Sequence, residues 1–235
     1  MSDDKPLALR LLTNALPPPP PANDPFPRMA RRVPPGVQGT ACVRHLTVDR
    51  AEAERWAVRA LVSGDDYYTR PGRYAILDLD GKIMMSDTDM ERRTNRVAFH
   101  RARGHVLVLG LGLGMLVAGL KRRGPLTSLM VLERNRDVID LVWPHVKFGK
   151  ATVVEADAFH WTPTAGTPLF DTIWADIWPT ICPDNLLEME ALFDRYTAWL
   201  APGGWMGFWS LDAVAKRLNA AGLRRFGRLL KGRWE

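Results

Sequence analysis

The chain has 235 residues, 46% of them hydrophobic and 25% charged, an ordinary composition for a folded protein with room for a sizeable core. No run nears the roughly 20 apolar residues of a membrane-spanning helix, two cysteines cannot build a multi-bridge framework, and residues 1–5, with two acids leading into prolines, do not read as a secretory signal. Residues 216–235 hold seven Lys/Arg and one Glu and so carry the whole net charge of +6, which leaves a neutral body with a basic tail and the expectation of a cytoplasmic protein with no membrane association.

In chain order, residues 1–38 are expected to form a disordered proline-rich arm. Residues 17–21 are all proline, and Pro25, Pro27, Pro34 and Pro35 follow. Such a segment lacks N–H donors and has φ locked, which favours polyproline II. It reads as a tether or as a ligand for an aromatic groove. Residues 39–104 are expected to form a small cap. Within it, residues 49–62 carry Ala53, Trp56, Ala57, Ala60 and Leu61 on one helical face before Gly64. Residues 73–86 read as a β-hairpin around Asp80-Gly81, a pair that tolerates positive φ in a tight turn.

The main domain is expected over residues 105–222. Residues 106–109 form a short apolar run, as a buried parallel strand requires. Further strands are expected at 129–133, 152–156, 172–176 and 205–209, and helices at 115–123, 137–143, 184–200 and 212–221. This alternation predicts an α/β fold, a mainly parallel sheet wound in both directions with helices on both faces. Residues 223–235 form the basic tail, which could draw nucleic acid or simply stay solvated.

Gly110, Gly112 and Gly114 follow the first strand and open a helix, where missing β-carbons permit positive φ and close approach of a ligand to the backbone. Glu133 ends the second strand, 23 residues after Gly110, where a carboxylate accepts both hydroxyls of a ribose or pairs with Arg134 or Arg136. Asp157, with Ala158 and Phe159, ends the third strand and suits an adenine edge or a plain strand-end cap. Asp176 ends the fourth, where it orients or deprotonates an acceptor, or caps. Trp178 forms an apolar wall or packs in the core. Tyr67, Tyr68 and Arg70 near the cap line the acceptor pocket or form a surface loop, and Asp87 is a further candidate acceptor-binding residue. The five histidines show no zinc spacing with each other or with the cysteines, and no metal is expected.

A dinucleotide site prefers a third glycine one position later than this turn supplies, where Met115 stands. The ordered set resembles the class I S-adenosylmethionine-dependent methyltransferases. It comprises G-L-G-L-G at 110–114, Glu133, A-D-A at 156–158, F-D-T-I-W-A-D at 170–176 and L-A-P-G-G at 200–204. The resemblance implies a Rossmann-like domain that binds S-adenosylmethionine: methionine against Gly110–Gly114, ribose on Glu133, adenine at Asp157 and Ala158, and Asp176 beside the transferred group.

The hairpin Leu79-Asp80-Gly81-Lys82-Ile83, followed by Asp87 and Asp89, resembles the entry of spermidine-synthase-like proteins. Met84, Leu113 and Met90 replace polar residues of that pattern, which weighs against a polyamine acceptor, since buried cations need carboxylate partners. The expectation is a methyltransferase with an unidentified acceptor, possible as a homodimer. The alternatives are an aminopropyltransferase using Asp65, Asp66, Asp87 or Asp89, and a noncatalytic cofactor-binding or interaction protein.

Overall fold

The computed structural model describes residues 24–63, 69–123, 126–180 and 182–215, and singly residues 218, 227 and 229. Tyr67, Tyr68, the whole proline run at 17–21 and nearly all of the basic tail lie outside the described residues.

Two sheets share one apolar core. The first is antiparallel, in the order β1 (Gly36–Gln38), β2 (Ala41–Val48), β3 (Gly72–Leu79) and β4 (Lys82–Ser86). The hairpin β3–β4 turns at Asp80 and Gly81, both at positive φ (49° and 74°), as the dipeptide predicts. Helix α1 (Arg50–Ser63) matches the amphipathic segment and buries Ala53 and Ala57. The strands β1 and β2 were not expected. Eight residues of β2 pair with β3 and turn the simple hairpin into a four-stranded cap.

Residues 24–38 also depart from the expected arm. Met29–Arg31 form a 3-10 turn, and Phe26, Met29, Ala30 and Val33 enter the core. Four apolar side chains within eight residues outweigh the extended preference of the flanking prolines, because burying each one is worth on the order of 1.5–3 kcal/mol for the larger side chains. Phe26 meets Phe99 edge-on at 5.8 Å, and Asp24 takes the Arg92 guanidinium at 2.9 Å.

Helices α2 (Asp89–Thr94) and α3 (Arg96–Arg101) lead from the cap into the main sheet. That sheet holds β5 (Gly104–Leu109), β6 (Leu126–Glu133), β7 (Ala151–Glu155), β8 (Phe170–Ala175) and β9 (Leu200–Phe208). All of its pairings are parallel, in the order β7-β6-β5-β8-β9. The α/β, Rossmann-like expectation therefore holds. Helix α4 (Met115–Leu120) lies between β5 and β6, α5 (Arg136–Val146) between β6 and β7, and α6 (Asn185–Tyr196) between β8 and β9.

Local chemistry explains where α5 begins. The Asn135 side chain accepts from the N–H groups of Asp137 and Val138 at 2.8 and 3.2 Å, capping the helix. Val138, Ile139, Val142 and Val146 then bury one stripe. Helix α7 (Leu211–Ala215) covers only the start of the expected 212–221 segment, most of whose remainder lies outside the described residues. No helix among the described residues is long and apolar enough to cross a membrane.

The strand order reverses around β5, whose neighbours are β6 on one side and β8 on the other. Open α/β sheets hold their ligands in the crevice at the carboxyl ends of the strands beside such a reversal.

Candidate functional site

A cavity of about 270 Å³ opens at those carboxyl ends. Gly110 and Gly112 reach it after β5, Glu133 from the end of β6, Asp157 and Ala158 after β7, and Asp176 after β8. The cap contributes Leu77, Leu79, Met84 and Met85.

The glycine turn is tight. Gly110, Gly112 and Gly114 all have positive φ (97°, 51° and 68°). A β-carbon on Gly110 would stand 2.3 Å from the carbonyl oxygen of Asp176, so β8 leaves the sheet directly over this residue. A β-carbon on Gly112 would stand 2.5 Å from Met85 Sδ, and the same sulfur accepts the Leu113 N–H at 3.3 Å. Gly114 serves differently: it starts α4 and lies against Val146, away from the cavity lining.

Glu133 spans the turn and the next helix. One carboxylate oxygen accepts the Leu111 N–H and the other the Asn135 N–H, both at 2.9 Å. The alternative pairing with Arg136 does not form, because Arg136 goes to Asp140 and Glu155. A carboxylate fixed by two backbone donors keeps further acceptor capacity toward the cavity, as a pair of sugar hydroxyls requires.

Asp157 caps the strand end and also lines the cavity. Oδ1 accepts the Phe159 N–H at 2.8 Å, which caps the turn after β7, while the residue also lines the cavity. His160 Nδ1 stands 3.4 Å from the other oxygen. Ala158 beside it is fixed from behind, its carbonyl accepting the Tyr196 hydroxyl at 2.8 Å.

Trp178 also joins wall and core. It is 6% exposed, lines the cavity, lies 6.3 Å from Phe208 and donates its indole N–H to Glu188 at 2.6 Å. Asp176 lines the cavity too, and desolvation there raises its carboxyl well above the ordinary range, with the neighbouring Asn95 amide opposing the rise.

Asp87 requires a correction. It is fully buried, does not line the cavity, and spends its two oxygens on the N–H groups of Ala75 (2.7 Å) and Met29 (2.6 Å). It therefore fastens the N-terminal turn to the cap and has no free face for a substrate. Desolvation raises its carboxyl, and these hydrogen bonds and the cations Arg28 and Arg92 oppose the rise. Asp89 is likewise taken up inside the cap, between Arg28 at 3.8 Å and Arg70 at 3.5 Å.

Glu91 was absent from the sequence-based candidates and belongs to the site. It is 7% exposed, lines the cavity from α2, and its carboxyl is raised by desolvation and then by the Asp176 carboxylate, with the neighbouring Trp209 indole, whose N–H reaches Thr94 Oγ1 at 3.0 Å, opposing the rise. Its signal was a helical one: Glu91 and Asn95 are four residues apart and share a face, and Asn95 Nδ2 donates to the Glu91 carbonyl at 3.2 Å. Both carboxyl groups line the same cavity, and the charge of Asp176 opposes the ionisation of Glu91. Among the described residues no group of His, Cys, Asp and Glu is arranged to hold a metal ion, and both cysteines are free.

No protein-family model matches the sequence, and no curated protein matches it in sequence. Solved structures share part of the fold. The N-methyltransferase NodS from Bradyrhizobium japonicum is 19% identical, with 60% of this chain and 83% of that chain covered and a TM-score of 0.45. The precorrin 8w decarboxylase from Methanobacterium thermoautotrophicum is 19% identical over 61% of this chain and 75% of that one, with a TM-score of 0.41. An amino pentose methyltransferase from Micromonospora echinaspora is 19% identical over 51% and 48%, with a TM-score of 0.36. At TM-scores below 0.5 these likenesses carry no functional argument, and the site stands on its own residues.

Proposed function

We propose that this chain is an S-adenosylmethionine-dependent methyltransferase with a spermidine-synthase-like N-terminal cap. One observation carries the reading: a glycine turn at positive φ, a strand-end acid placed for a ribose and another placed for an adenine converge from three strand ends on one cavity. The residues fit the cofactor by chemistry. Glu133 would hold the ribose hydroxyls, Asp157 and Ala158 the adenine edge, and the backbone of Gly110 and Gly112 the methionine portion. When bound, the cofactor supplies an electrophilic methyl group on a sulfonium sulfur.

The protein's part is positioning and exclusion of water, since methyl transfer from a sulfonium needs no covalent enzyme intermediate. Met84 and Trp178 wall the cavity, and Asp176 with Glu91 faces the side left for the acceptor. The hairpin supports the cap assignment by sending Met84 and Met85 onto the glycine turn and cavity. Aminopropyl transfer has less support, because Asp87 and Asp89 are engaged inside the cap and Asp65 and Asp66 lie outside the described residues.

Calorimetric titration with S-adenosylmethionine, S-adenosylhomocysteine, decarboxylated S-adenosylmethionine and NAD tests the proposal without knowledge of the acceptor. Binding of the first two in preference to the others is expected. Preference for the decarboxylated cofactor would favour aminopropyl transfer, and preference for NAD would overturn the reading. Unchanged turnover in Asp176→Ala would remove the catalytic role of Asp176.

A further inference from the structure

We infer that the amino-terminal end of the main sheet is a docking surface for single-stranded nucleic acid, whose phosphates meet seven Lys and Arg side chains gathered where the chain enters β5, β6 and β7. The inference goes beyond the methyltransferase reading and does not depend on it.

Because every pairing of this sheet is parallel, its strands all start at one end, and the cavity lies at the other. β5, β6 and β7 are neighbours. The entry to β5 carries Arg101 and Arg103, that to β6 carries Lys121, Arg122 and Arg123, and that to β7 carries Lys147 and Lys150. No acid stands in residues 101–104, 121–125 or 147–150. Hydrogen bonds tie the three entries together. Arg123 donates to the Phe99 carbonyl and, at 2.6 Å, to that of His100, beside Arg101. Lys150 Nζ donates to the Leu126 carbonyl at 2.8 Å, and Leu126 pairs with Gly104. The acids of this end, Asp171 and Asp194, belong to the β8–β9 half, and Asp171 accepts the His105 N–H at 2.8 Å.

Part of this charge serves the fold. Helices α4 and α5 end here, and cations at helix carboxyl ends complement the exposed carbonyls. Arg103 likewise donates to the Gly203 carbonyl at 2.5 Å. These acceptors are neutral, however, so each cation keeps its charge, and Lys121, Arg122 and Lys147 stand exposed. None of the seven forms an ion pair with a carboxylate among the described residues. Elsewhere Arg44, Arg92 and Arg136 each find one, at 2.7, 2.9 and 2.9 Å.

Like charges gathered without counter-charges attract a polyanion, which gives up its condensed counter-ions on docking. Aromatic rings border the cations. The Arg101 guanidinium lies 5.8 Å from the centre of the Trp205 ring, and Trp205, Trp199 and Phe148 are each partly exposed. Unpaired bases stack on such rings, whereas a duplex keeps its base faces covered, which favours a single strand. A lipid surface calls for apolar side chains standing out among the cations. Among the described residues, none of the strongly exposed large apolar side chains lies in these three entries. β5 is six residues long, about 20 Å, so a strand docked here stays clear of the cavity.

The test is fluorescence anisotropy of the full chain with a labelled single-stranded oligonucleotide of about 16 nucleotides. Binding is expected, with the logarithm of the affinity falling against that of the salt concentration by a slope of about −3, as for four phosphates neutralised. Lys121→Gln combined with Arg122→Gln should weaken binding at least tenfold and flatten the slope by about 1.4, and Lys147→Gln alone should flatten it by about 0.7. These side chains are exposed, so the variants keep the fold. Arg228→Gln combined with Lys231→Gln provides the comparison in the basic tail. Absence of binding, a flat salt response, wild-type affinity in the Lys121 and Arg122 variant, or a loss confined to the tail variant overturns the inference. So does tighter binding of polyglutamate of equal charge, of phosphatidylserine vesicles, or of a duplex of the same length.

Discussion

Gly110→Ala perturbs the turn at its most constrained point, and Gly81→Ala is its natural control. Both glycines have positive φ, 97° and 74°, so an added β-carbon strains the backbone at each by roughly 1–2 kcal/mol. Their surroundings differ. At Gly81 nothing lies within 4 Å of the new carbon, whereas at Gly110 it stands 2.3 Å from the Asp176 carbonyl oxygen, a backbone atom that no rotamer change can move aside. Ordinary contact begins near 3.4 Å, so the end of β8 must retreat by about 1 Å. Overpacking of that kind adds about 1–3 kcal/mol. Urea unfolding should show a loss of about 1–2 kcal/mol for Gly81→Ala and about 2–5 kcal/mol for Gly110→Ala. Titration of the folded fraction should show S-adenosylmethionine affinity kept in the first and reduced at least tenfold in the second. Equal losses of stability and intact cofactor binding in both variants would refute the reasoning.

Other perturbations follow from the same geometry. Glu133→Gln leaves one of the Leu111 and Asn135 N–H groups facing an amide NH₂, and it should weaken cofactor binding tenfold or more, because hydrogen bonds to a charged group contribute about 1.5–3 kcal/mol. Asp87→Asn loses one of two buried backbone acceptors and should cost about 2–3 kcal/mol in unfolding measurements with cofactor affinity of the folded protein unchanged; a large affinity loss would return Asp87 to the site. Burial raises Asp176 to about 7 and Glu91 to about 8, so the folded protein binds more protons than the unfolded chain above the ordinary carboxylate range. Their contribution is therefore full below about pH 4 and is lost as pH rises toward about 8. Wild type should lose Tm between pH 5 and pH 8 relative to Glu91→Gln, and parallel profiles would contradict this.

The main sheet was legible because buried parallel strands leave continuous apolar runs, as in residues 106–109, and because a glycine turn announces where the first strand ends. The Asp80-Gly81 hairpin was legible for the same local reason. The cap strands were not. β2 alternates only loosely, with Arg44 and His45 in mid-strand, and its partner β3 lies across α1 in the sequence, so its pairing is a tertiary fact. Prolines masked the buried Phe26, Met29 and Val33. At the site, strand-end acids could be placed by position, while Asp87 and Glu91, four residues apart, could not be told apart by sequence. Only packing shows that Asp87 turns to two backbone donors and Glu91 to the cavity.

The most direct measurement is a crystal structure of the full chain with S-adenosylhomocysteine. The account predicts the ribose hydroxyls within hydrogen-bonding distance of Glu133, the adenine edge at Asp157 and Ala158, and the sulfur end directed toward Asp176 and Glu91. A ligand bound elsewhere, or one in this cavity whose sugar stands away from Glu133, would contradict it.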